Sequence, residues 1–72
     1  MLDDGDYDAL VVDGDVVGPD AVRLELTITA GPHKGELVSV RATGLGADPV
    51  DLLGLPARLS VAGGEPRVEL ER

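Results

Sequence analysis

The chain has 72 residues, with 14 acidic against 6 basic side chains, a formal net charge of −8, one aromatic residue and no cysteine. That length holds one domain, 1–72, in which folding hides only about 60% of the surface, so the core is small. Missing thiols exclude a disulfide scaffold, a thiolate metal site and a cysteine nucleophile. No apolar run approaches the ~18 residues of a membrane helix, and the acidic start does not read as a signal peptide, so a cytoplasmic protein with no membrane contact is expected.

Acidity is concentrated at the start. Residues 1–20 carry seven aspartates and no base, whereas 21–72 carry seven acids and six bases. Phe, Trp, Asn and Gln are absent, and the apolar content rests on Val, Leu and Ala, the usage of a GC-rich genome. Only Tyr7 can therefore stack on a base or anchor an interface as an aromatic.

In chain order, Tyr7–Val12 reads as a strand. Asp13-Gly14 is a strong turn signal, so Val16-Val17 either returns as a hairpin arm or continues past a bulge. Over Ala21–Thr29, Val22, Leu24, Leu26 and Ile28 alternate with Arg23, Glu25, Thr27 and Thr29, the pattern of a half-buried strand. Gly31-Pro32-His33-Lys34-Gly35 turns the chain, and Glu36–Thr43 alternates again with Val38, Val40 and Ala42 inward. Pairing these two strands is expected to bring Glu25 near Arg41, neutralising it. After Gly44-Leu45-Gly46, Asp48 as N-cap, Pro49 at the first helical position and Gly54 past the end predict a short helix over Asp48–Leu53. Val50, Leu52 and Leu53 give that helix an apolar side. Ala57–Val61 and Pro66–Leu70 are the last strands, with Leu59, Val61, Val68 and Leu70 inward and a turn at Ala62-Gly63-Gly64-Glu65. Residues 1–5 and 71–72 are expected to fray.

Five antiparallel strands with one short helix between the third and fourth form the element order of the OB fold, a partly open Greek-key barrel. The chain resembles a minimal member of that all-β class over nearly its whole length. A second, local likeness runs from Ile28 through Gly31, Lys34 and Gly35 to Val40, which is similar to the KOW motif of ribosomal and transcription-elongation SH3-like barrels, with Val38 where that motif has a glycine. The helix position favours the OB order, because SH3-like barrels place their short turn between the last two strands.

Asp4, Asp6, Asp8 and Asp15 fall at positions one, three, five and twelve of a calcium loop, but position six, which needs glycine, is Ala9. A solvated acidic edge is the expected role of these aspartates, and no metal or cofactor is expected. His33, Ser39, Ser60 and Tyr7 supply no nucleophile–base spacing, so catalysis is not expected. The OB resemblance implies a ligand on the face of the second and third strands, with Arg23, Thr27, His33, Lys34 and Arg41 as its binding residues. If that ligand is single-stranded nucleic acid, the three bases must share one strip and the aspartates must lie off it. The competing expectation, from charge and the lack of aromatics, is a protein partner or a second copy of the chain.

Overall fold

The computed structural model describes residues 2–44, 46 and 48–71. Five strands follow one another: β1 (Gly5–Gly18), β2 (Ala21–Ile28), β3 (Leu37–Thr43), β4 (Pro56–Ala62) and β5 (Glu65–Leu70), with one 3₁₀ turn, Pro49–Leu52, between β3 and β4. They form a single antiparallel sheet in the order β3-β2-β1-β4-β5, curled into a half-barrel that brings β3 and β5 towards each other.

The long β1 makes this curl. Its first part, Gly5–Leu10, pairs with β4, and its second part, Ala9–Gly18, pairs with β2. Between Val11 and Asp13 the register against β2 slips by one, leaving Val12 as a bulged residue. Val11 opposite Leu26 is buried, and past the bulge it is Gly14 that stands opposite inward-facing Leu24. The slip exchanges the two faces of the strand, because side-chain direction alternates with period two.

The Asp13-Gly14 signal is therefore resolved as strand and bulge, not as a hairpin turn. Gly14 has no positive φ, and the Asp13 carboxylate accepts its N–H at 2.8 Å. Gly14 is needed for close approach: a Cβ there would lie 3.1 Å from both Leu24 Cδ2 and Pro49 Cβ.

Pro49 belongs to the expected helix, which forms only one 3₁₀ turn. Asp48 caps it by accepting the Val50 N–H at 3.0 Å. The turn stops early because the chain is stitched to the bulge: Gly54 N–H donates to Val11 C=O and Val11 N–H donates to Leu55 C=O. Leu52 and Pro49 are buried against the sheet, but Val50 (65% exposed) and Leu53 (45%) face solvent, contrary to the expected apolar side. A 3₁₀ turn stacks residues three apart, so only part of the predicted set can face inward.

Inside the curl, under the 3₁₀ turn, lies an aliphatic core centred on Val11, Leu24, Leu26, Ile28, Leu52 and Leu59. The alternation read in β2 holds for all eight residues. At the β4–β5 hairpin, Gly63 and Gly64 both take positive φ, as a two-residue turn matching strand twist requires. Of the ends expected to fray, Met1 and Arg72 lie outside the described residues. Leu2 packs on the core, and the Asp4 carboxylate accepts the Gly63 N–H at 3.2 Å.

Candidate binding surfaces

Strand pairing builds the outer face of the sheet row by row. Arg41 stands opposite Arg23, and Arg23 stands opposite Asp15; the next row runs Ser39, Glu25, Asp13. Further along come Leu37, Thr27, Leu10 and Pro56, and then Asp8, Arg58 and Glu69. The expected contact between Glu25 and Arg41 is not made, because the register sets Glu25 against Ser39. Glu25 instead meets Arg23, its same-face neighbour on β2, at 3.7 Å.

Arg23 is the hub of the face. Its guanidinium pairs with the Asp15 carboxylate, donates to Ser39 Oγ at 3.3 Å and lies beside Glu25. The hydrogen bond and charge of Asp15 raise its pKa above the ordinary arginine value, with Glu25 and Asp13 adding to this and partial desolvation opposing it. Arg41 is exposed next to it, with no ion pair among the described residues.

The strip expected to be free of aspartates is not free of them. Val12 causes this. In an unbulged strand Asp13 and Asp15 would share the inward parity of Ala9 and Val11; the extra residue turns them outward, beside Arg23. The run of aspartates around Gly14 was visible in the sequence, but its face depended on a slip that no local pattern specifies.

The five expected binding residues do not form one patch. Arg23, Thr27 and Arg41 share the outer face. Arg41 stands about 13 Å along β3 from Leu37, at ordinary strand rise, and Lys34 lies beyond Leu37 in the hairpin tip. His33 turns away to the N-terminal segment. It is half-buried, its Nδ1 pairs with the Glu36 carboxylate, and its ring meets Tyr7 edge-on at 5.7 Å. Nε2 lies 4.0 Å from an Asp3 carboxylate oxygen, and the Tyr7 hydroxyl donates to the Asp3 carbonyl. Lost hydration, followed by repulsion from Asp3, Asp4 and Glu36, raises the Tyr7 pKa above its ordinary 10.0.

The remaining polar groups are used locally. Ser60 Oγ donates to Asp6 at 2.8 Å, and Asp8 meets Arg58 at 3.5 Å. The aspartates do not form the acidic edge expected of them, because β1 is the central strand: Asp6 and Asp8 lie on its ladder with β4 and Asp15 on its ladder with β2. No cluster of three metal-ligating side chains occurs among the described residues. Within the same residues no hydroxyl is hydrogen-bonded to His33. No helix there is long and apolar enough to cross a membrane.

The second candidate surface is the open side of the half-barrel. A cleft of about 270 Å³ lies between the start of β3 and the start of β5, with Leu2, Leu37, Val38, Val61 and Pro66 among its walls and Glu36 at its rim. A cleft of about 360 Å³ at the other end is walled by turns, including Pro19, Asp20, Gly46 and Asp48. Comparison with protein-family models, curated proteins and solved structures returns no match for this chain.

Proposed function

We propose that the chain is a non-catalytic binding module of the OB type whose ligand is a protein. The OB reading is supported by one strand shared between two neighbours (β1 with β2 and β4), by the single helical turn between β3 and β4, and by the approach of β3 to β5. A protein ligand is supported above all by the saturation of Arg23: the central base of the outer face is held by Asp15 and Glu25, so it has little charge left for a phosphate. Arg58 likewise stands between Asp8 and Glu69. The face carries no aromatic platform, and a net charge of −8 repels a polyanion while attracting a basic protein.

Single-stranded nucleic acid is the second reading, favoured by the side-by-side placement of Arg23 and Arg41. Titration of a labelled strand of about 20 nucleotides at low salt, to about 100 μM protein, separates the two, because that range covers typical non-specific affinities. No saturable binding is expected, together with retention of a discrete protein from nuclease-treated extract at physiological salt. Saturable, salt-sensitive binding that is lost in the triple variant Arg23→Glu, Lys34→Glu, Arg41→Glu would replace the protein reading with the nucleic-acid one.

A further inference from the structure

The two rims of the sheet are guarded very differently. β5 begins Glu65-Pro66 and carries Arg67 and Glu69, so it presents a proline and a row of charged side chains at its edge. Such residues discourage strand pairing. β3, Leu-Val-Ser-Val-Arg-Ala-Thr, has no proline and no acid, and its exposed Leu37 stands at the mouth of the cleft.

The hydrogen bonds identify which backbone groups of β3 are free. Ile28 N–H donates to Glu36 C=O at 3.0 Å, and Gly44 N–H donates to Asp20 C=O at 3.3 Å. With the antiparallel register, both bonds place Val38, Val40 and Ala42 as the residues bonded to β2. The N–H and C=O groups of Leu37, Ser39 and Arg41 therefore point away from β2, into the gap that the curl leaves between β3 and β5. On β5, Glu71 N–H donates to Pro56 C=O, so its outward groups belong to Pro66, which has no N–H, and to Val68 and Leu70.

Resting on the protein-binding reading above, we infer that the free edge of β3 at Leu37–Arg41 accepts an extended segment of a partner protein as an added strand, with a lysine or arginine of that segment seated in the adjoining cleft. Its walls fit an aliphatic stem, with Leu2, Leu37, Val38 and Val61 below. Glu36, whose carboxylate also meets His33, borders the cleft, and Glu65 precedes Pro66 beside it with no ion pair among the described residues, which suits a cationic tip. A volume of about 270 Å³ falls short of the ~300–1,000 Å³ usual for small-molecule sites and fits one or two side chains. Main-chain hydrogen bonds supply affinity in such strand addition, and the side-chain pocket supplies selectivity. A second copy is disfavoured as the occupant, since each copy carries the same charge of −8.

The test uses the full chain and a short peptide of alternating lysine and valine, in parallel with the same peptide N-methylated at alternate residues. Binding is expected to protect the Leu37, Ser39 and Arg41 amides from hydrogen exchange without changing Val38 and Val40. N-methylation facing β3 is expected to weaken binding by at least about tenfold, because it removes the ladder donors and keeps every side chain. Ser39→Pro should weaken binding similarly, since it deletes an outward N–H that β2 does not use; Leu37→Lys, on an exposed side chain at the cleft mouth, repels a cationic segment and provides a second weakening variant if the first does not fold. Equal binding of the two peptides, or protection confined to Val68 and Leu70, would overturn the assignment. A concentration-dependent dimer that Ser39→Pro abolishes would overturn it in favour of a second copy. No peptide binding, while a captured protein is still retained by the Leu37→Lys variant, would sink the β3 site and leave the protein-binding reading intact.

Discussion

The middle of the sheet and its rims are built from the same aliphatic residues but reach different degrees of burial. Leu24 and Leu26 on β2 and Leu59 on β4 have no exposed surface, whereas on the rim strands only Val40, midway along β3, is buried, and the inward residues Val38 and Ala42 on β3, and Val68 and Leu70 on β5, remain half-buried. A central strand has a neighbour along each edge and the curl of the sheet above it; a rim strand has one neighbour and an open side. Position in the strand order, more than residue type, decides how much apolar surface leaves water. The unfinished rim is also where an added strand gains most, because apolar area is still available to bury.

Truncations should expose this contrast most strongly. Leu24→Ala or Leu59→Ala is expected to lose about 2–5 kcal/mol, as for other fully buried leucines. A chain of this size holds only about 4–11 kcal/mol in total, so either variant gives up a large share of it and should unfold at a much lower urea concentration. Val68→Ala, at the rim, should lose about 1 kcal/mol or less. Urea unfolding of the three variants measures the difference, and a rim loss equal to the central one would break the comparison.

Gly14 sharpens it at the next level, since it lies where the 3₁₀ turn closes the central part of the sheet. Gly14→Val should destabilise by about 1–3 kcal/mol by pressing on Pro49 and Leu24, the range for overpacking. Gly18→Ala is its control. There the new Cβ lies 3.5 Å from Ala21 Cβ, an ordinary contact, and the change should stay within about 0.5 kcal/mol.

The smallest effect belongs to the clasp between the N-terminal segment and the β2–β3 hairpin. Tyr7 has a folded-state pKa above 10.0, so its neutral phenol contributes stability that is fully present below pH 10.0 and lost as the pH rises through the higher folded value. As the sole aromatic residue, it can be followed directly by tyrosinate absorbance. The folded midpoint should exceed that of a free tyrosine amide, and Tyr7→Phe should remove this part of the alkaline loss. A midpoint at or below the free value would show that the clasp does not form.

Much of the fold is legible where local pattern and tertiary demand agree. The alternation of Val22, Leu24, Leu26 and Ile28 with polar neighbours specifies β2 because one face must leave water while the other stays in it. Gly63-Gly64 and Asp48-Pro49 likewise mark their turn and cap, since only certain residues suit positive φ or an unpaired helix start. Both the hairpin of β2 with β3 and the final pair β4–β5 follow from such local signals.

The candidate surfaces were less legible, because they depend on register and curl. Asp13-Gly14 carries the chemistry of a turn, and only pairing with β2 and packing under Pro49 draw it into a strand. The bulge at Val12 then places Asp13 and Asp15 on the face of Arg23, and the β2–β3 register places Arg41 opposite Arg23 instead of beside Glu25. Residue chemistry and period by themselves determined an acidic, all-β chain with an aliphatic core and a short capped turn. Tertiary structure alone decided which charges meet and which edge stays open, because a one-residue slip between strands costs little locally but exchanges the faces of everything beyond it.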